Sequence, residues 1–293
     1  MTPIQRIESR LTDLGDGMIV RRALPTRARR MVGAWCFLDH LGPVDFGAGH
    51  GMHVGAHPHI GLQTFTWLIE GEVRHRDSLG SDQVIRPGQV NLMTAGHGIV
   101  HTEDSVRDGG RLHAAQLWIA LPPGATDCEP AFEHFPDLPR WDADGCTFTL
   151  IAGSFAGRTM PARFHSPLLG LDARSEAGAR IELPLDPAFE YGILLLEGEI
   201  RVGDERFASD ELAYLAPGAA GITLELAPGT RILVLGGEPF AEPVLMWWNF
   251  VGWSKEQIAA AQRVWESGGP RFGRVEGDTD RRLVAPALPW AGY

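Results

Sequence analysis

His57-Pro58-His59 and His101-Thr102-Glu103 are the residues whose types and spacing could do chemistry. Each is a pair of metal-ligand side chains with one residue between them. On an extended strand, residues i and i+2 face the same way, about 6.5–7 Å apart. Two such strands side by side would aim three imidazoles and one carboxylate at a single point. That set suits a first-row transition ion with positions left open for chemistry. A lone strand histidine is more often a satisfied core or surface residue, so one His-x-His carries little weight. Here eight of the eleven histidines (His40, His50, His53, His57, His59, His75, His97 and His101) fall within 62 residues. Scattered structural histidines would not concentrate in this way.

The elements that must position these pairs are short strands broken by glycine and proline. Gly15 and Gly17 mark a turn, and residues 31–41 read as a mostly buried strand ending in Asp39-His40. A loop rich in glycine and histidine, residues 42–55, delivers the chain to His57. Pro58 cannot donate to a strand ladder, so His57-Pro58-His59 belongs at a strand start or a sheet edge. Residues 64–76 read as strand, turn at Glu70-Gly71, strand. Pro87-Gly88 makes a further turn, and residues 112–121 form an apolar run ended by Pro122-Pro123-Gly124. This spacing reads as an all-β sandwich or barrel. Residues 122–144 fit neither strand nor helix well and are the candidate linker. Ser254 with Gln257 forms a capping box. Ile258, Ala261 and Trp265 mark one face of the helix that follows, which stops at Gly268-Gly269-Pro270. The apolar, aromatic run from Pro243 to Gly252 before it reads as packing between the barrels.

The chain repeats itself. Residues 192–201, Gly-Ile-Leu-Leu-Leu-Glu-Gly-Glu-Ile-Arg, parallel residues 65–74, Phe-Thr-Trp-Leu-Ile-Glu-Gly-Glu-Val-Arg, at an offset of 127. Ala216-Pro217-Gly218 parallels Thr94-Ala95-Gly96 at an offset of 122. Duplication of one β-barrel unit explains both. Carried forward, His57 and His59 land on Pro184 and Asp186, and His101 and Glu103 land on Thr223 and Glu225. A purely architectural role would require the ligand pairs in both copies. They belong instead to a function of the first copy. The expected domains are residues 1–135, a metal-binding barrel, and residues 136–293, a barrel without metal ligands plus the helix and tail.

Composition bounds the function. The 293 residues are 44% hydrophobic and 22% charged, a soluble globular balance, with a net charge of −11. That charge argues against direct nucleic-acid binding and against an anionic membrane surface. The local cluster Arg21, Arg22, Arg27, Arg29 and Arg30 reads as a solvated face. Cys36, Cys128 and Cys146 have no metal-binding or redox spacing, and no signal peptide or membrane-spanning run is seen. A cytoplasmic location is the expectation. Asp39, His40, His53 and His97 could orient ligand imidazoles or meet substrate, but local structural roles serve them equally well. Gln116 could line the barrel.

His57-Pro58-His59-Ile60-Gly61, Leu68-Ile69-Glu70-Gly71, Asp77-Ser78-Leu79-Gly80, the run from Thr94 to Glu103, and Trp247-Trp248-Asn249-Phe250-Val251-Gly252 together resemble the pirin family. The resemblance covers nearly the whole chain. It implies a bicupin: two antiparallel jelly-roll β-barrels packed face to face, with a short C-terminal helix. It implies one non-haem iron(II) in the N-terminal barrel, held by His57, His59, His101 and Glu103, and an empty C-terminal barrel. Residue chemistry alone equally admits Ni, Cu, Zn, Mn or Co. Many cupins place a ligating Glu four or five residues after the second His; here Gln63 and Thr64 stand there, and Glu103 supplies the carboxylate.

The resemblance further implies quercetin 2,3-dioxygenase activity, in which a flavonol and O2 meet at the metal and the heterocycle opens with loss of CO. Glu103 is then a ligand and also the candidate base for the flavonol 3-hydroxyl proton. Two other classes stand beside this one. The first is a non-enzymatic, iron-dependent regulator with a protein partner, a transcription coregulator or a modulator of a metabolic enzyme. The second is a cupin isomerase or a structural metal site with four ligands and no vacancy.

Overall fold

A computed structural model of the chain describes residues 3–13, 18–277 and 282–290. The turn expected at Gly15 and Gly17 lies outside them. The chain forms two compact units: Met1–Leu41 with Asp137–Phe240, and Gly42–Pro136 with Ala241–Tyr293. The second holds the histidine pairs and also the C-terminal segment. The N-terminal segment joins the unit without the histidine pairs, and the C-terminal segment joins the one that holds them.

In the histidine-bearing unit, Ala131–Phe135, Val90–Thr94, Leu62–Glu70 and Gly110–Ala120 lie in that order in one antiparallel sheet. A second antiparallel sheet runs His53–His59, Ile99–Ser105, Val73–Asp77, Asp82–Ile85. The other unit repeats this order. Glu211–Leu215, Glu190–Glu197 and Thr230–Gly237 are adjacent in its large sheet, and Ala179–Pro184, Gly221–Leu226, Ile200–Val202 and Glu205–Phe207 form its small one. The duplication seen in the sequence is thus a duplication of strand order.

The strands bond in open sheets, two to each copy, the jelly-roll arrangement expected from the sequence without hydrogen-bonded closure of a barrel. Pro58 keeps to the edge of one of them. Its strand is an outer strand of the small sheet, where a residue without an N–H leaves no gap in a ladder. Residues 122–144 depart from the linker expectation. They contribute a strand on each side of the unit boundary: Ala131–Phe135 pairs with Val90–Thr94, and Arg140–Ala143 pairs with Cys146–Phe155. Both are short and hold no fully buried residue, which hid them.

The helix Lys255–Glu266 begins at Ser254 with both halves of the capping box in place. Its Ile258, Ala261 and Trp265 pack with Ala56, Ile60, Val100, Phe250 and Phe272 in one cluster. Trp247 and Trp248 lean on the same cluster. The aromatic run therefore packs inside the histidine-bearing unit, as does the helix.

Candidate metal centre

His57 and His59 leave the same face of His53–His59, as strand alternation requires. Residue pairing sets His101 directly opposite His57. The three imidazoles cluster, with ring centroids 4.2 Å apart for His57 and His101 and 5.0 Å for the other two pairs. A register shift between His101 and Glu103 marks a bulge at this point of the strand, a device that re-aims side chains.

Backbone carbonyls fix two of the rings. His57 Nδ1 lies 2.9 Å from the Gly55 carbonyl oxygen, and His59 Nδ1 lies 3.0 Å from that of Asn249. A carbonyl can only accept, so Nδ1 donates in both rings and Nε2 keeps its lone pair. Trp248 adopts a left-handed conformation, φ 51°, just before the residue whose carbonyl holds His59. Gly61, φ +66°, lets Val251 of the same segment approach; a Cβ there would sit 2.2 Å from the Val251 oxygen. Trp118 meets the edge of the His59 ring at 5.2 Å between centroids.

Burial keeps these rings neutral. It pushes His57 down to about 4 and His59 and His101 well below the ordinary imidazole value. Neutral imidazole is the ligating form. His59 Nε2 and His101 Nε2 are 3.1 Å apart. Two neighbouring nitrogen ligands about 2.1 Å from one ion, at a right angle, would be separated by about 3.0 Å. Donor chemistry and spacing both fit a transition ion.

Glu103 stands slightly apart. Its carboxylate groups with His101 and His75, whereas His57, His59 and His101 form a set of their own. Burial raises the Glu103 pKa, making the carboxylate a stronger base than an exposed one. The Thr66 hydroxyl links it to the sheet opposite, 3.5 Å from Glu103 Oε1 and 2.9 Å from Gln116 Oε1.

Of the other sequence candidates, Gln116 alone joins this network. Asp39 is held by Arg22 through two 2.7 Å bonds, and His40 Nδ1 lies 2.6 Å from Asp210, all within the other unit. His53 pairs with Asp104, and the His97 ring lies 3.3 Å from Glu129. The arginine cluster is engaged too, Arg21 with Asp210 and Arg29 over the Tyr214 ring. Thr66, His75, Asp77 and the Asn249 carbonyl were missed. His75 and Asp77 had a signal: in Val73-Arg74-His75-Arg76-Asp77 the arginines alternate outward, which turns the histidine and the aspartate inward. The Asn249 carbonyl had none, because every residue carries one.

In the other unit, Thr223 is paired with Glu182 where the first unit pairs His101 with His57. Pairing therefore sets Glu182 and Pro184 in the places of His57 and His59, two residues short of the 127-residue offset. The Thr223 hydroxyl donates to Glu182 at 2.7 Å.

Two family models match the chain, Pirin over residues 17–119 and the Pirin C-terminal cupin domain over residues 170–273. A Pseudomonas aeruginosa protein provisionally named quercetin 2,3-dioxygenase is 59% identical over 287 residues, covering 98% of this chain and 91% of its own. A pirin-like protein of Caulobacter vibrioides is 39% identical over 269 residues, covering 89% and 92%. A crystal structure of quercetin 2,3-dioxygenase from Acinetobacter baumannii superposes with a TM-score of 0.95 at 48% identity, covering 98% and 96%. With both pirin models matched and relatives aligned along almost its full length, this chain belongs to the pirin family.

Proposed function

We propose that this protein is a metal-dependent, O2-using dioxygenase of the quercetin 2,3-dioxygenase kind, opening the heterocycle of a flavonol-like substrate with release of CO. The observation that carries the reading is the convergence of three buried, neutral imidazoles, two of them with Nε2 turned free by backbone carbonyls. The similarity to proteins bearing that activity in their names supports the substrate class.

His57, His59 and His101 would hold the ion, and Glu103 would complete the set. Iron(II) is the family expectation. The bound ion would supply open coordination positions at which O2 and an oxygen-bearing substrate come together. The rest falls to the chain. Glu103, its basicity raised by burial, accepts the substrate hydroxyl proton. Thr66, 3.5 Å from Glu103 Oε1, links the carboxylate to the sheet opposite. Trp118 and the carbonyl-bound rings keep the imidazoles in one orientation.

The test is elemental analysis of the purified protein, then anaerobic iron loading and admission of air with quercetin present. The reading expects flavonol consumption that scales with bound iron. Iron-loaded protein inactive on several flavonols would favour the regulator, with a protein partner in place of a substrate.

A further inference from the structure

Behind the imidazole cluster lies a second row of buried polar groups that the proposed chemistry does not use. His75 and Asp77 are 3% and 2% exposed, on the strand paired with His101. We infer that Asp77 and His75 form a relay that fixes which nitrogen of His101 faces the metal. This rests on the metal reading above.

Hydrogen-bond direction can be followed from one end to the other. Asp77 Oδ1 accepts the backbone N–H groups of Leu79 at 2.9 Å and Ser81 at 3.1 Å. Asp77 Oδ2 lies 3.1 Å from His75 Nε2. Two backbone N–H groups on one oxygen and the His75 ring nitrogen on the other give the hydrogen-bond pattern of an ionised carboxylate. The carboxylate therefore accepts, and His75 donates from Nε2. In a neutral ring that leaves a lone pair on His75 Nδ1. This atom is 3.3 Å from His101 Nδ1, which must then be the donor. The proton of His101 is thereby placed on Nδ1, and its Nε2 lone pair turns toward His59 Nε2. The His59 nitrogen is fixed as a lone pair by the Asn249 carbonyl. Two lone pairs so face each other at 3.1 Å, an arrangement satisfied by a cation between them.

His75 is held in its plane by Phe132, stacked at 4.4 Å and 15°. Ligating histidines commonly give their second N–H to a carboxylate or carbonyl, which raises ligand basicity. His57 and His59 use carbonyls. His101 uses a carboxylate through an intervening imidazole, so Asp77 and His75 are positioning residues one and two steps behind the ligand.

Asp77→Asn tests the direction of the relay. The two backbone N–H groups keep the Asn oxygen, so its amide nitrogen faces His75 Nε2 and donates. Every proton in the relay then shifts, and His101 Nε2 carries a hydrogen where the metal should be. The probe is cobalt(II), with affinity measured by competition with a chromophoric chelator and ligation followed by the cobalt visible spectrum. We expect Asp77→Asn to bind cobalt about 10–100-fold more weakly, with an altered spectrum. His75→Phe keeps the stack on Phe132 and the Asp77 turn but removes the acceptor. It should weaken binding on its own, and His75→Gln should recover part of the loss. In the His75→Phe background, Asp77→Asn should cost nothing further. Wild-type affinity in both Asp77→Asn and His75→Phe overturns the relay and leaves the metal reading intact. A full Asp77→Asn penalty retained in the His75→Phe background also overturns it. A wild-type protein that binds no cobalt overturns the metal reading, and the relay with it.

Discussion

At the residue scale, the account separates ligands from the base. His57→Ala should lower metal content and turnover together. Glu103→Gln keeps shape and one oxygen donor but removes charge and most basicity. Three imidazoles should retain the ion at reduced affinity, while turnover per bound iron falls by about 10²-fold or more. Metal analysis and rate on the same preparation check both, and full turnover per iron in Glu103→Gln would remove Glu103 as the base. The buried rings also give the metal-free fold a pH dependence. Folded His57 titrates at about 4, whereas an unfolded imidazole titrates near 6.5. Between these values the unfolded state binds more protons. Stability should fall as pH drops from about 7 toward 4, by up to about 1.4 kcal/mol per pH unit from this residue, and level off below. His59 and His101 shift in the same direction and add to it. Urea unfolding of metal-free protein at several pH values reads this slope, and His57→Gln should reduce it.

At the scale of elements, what the sequence made legible follows covalent geometry. Strand alternation put His57 beside His59, and the capping box located the helix at Ser254 to the residue. Pro58 correctly marked an outer strand. What stayed hidden depends on long-range placement. Asn249, whose carbonyl orients His59, is 190 residues away in sequence, and its side chain takes no part in that bond. The Trp-Trp-Asn-Phe run read as packing; it does pack, and its turn also carries that carbonyl. Gly61 is where this segment meets the ligand strand. Gly61→Ala should destabilise the fold by about 2 kcal/mol or more, because a left-handed φ is strained for alanine and its Cβ would meet the Val251 oxygen. It should also weaken metal binding by displacing the segment that fixes His59. Denaturant unfolding and a metal titration on one preparation would show both losses; a variant with wild-type stability would refute the close approach.

At the scale of the whole molecule, one strand order is used twice and only one copy keeps the ligands. The duplication was readable from the offset of the Glu-Gly-Glu motifs. The exchange of chain ends between the compact units was not, because no local pattern records which unit a terminal segment joins. Glu225, the acid carried forward from Glu103, is engaged with Arg180 at 3.1 Å. A metal titration should therefore saturate at one ion per chain and fall to none on removal of the histidine pairs, whereas two equivalent sites would contradict the asymmetry. Among the described residues, no helix is long and apolar enough to cross a membrane. The central claim is that the three imidazoles and Glu103 serve O2-dependent ring cleavage. It is tested most directly by measuring CO released when O2 is admitted to iron-loaded protein with quercetin. The account predicts CO in multiple-turnover amounts at one iron per chain, lost in His101→Ala. Iron bound at one per chain with no CO evolved would contradict it.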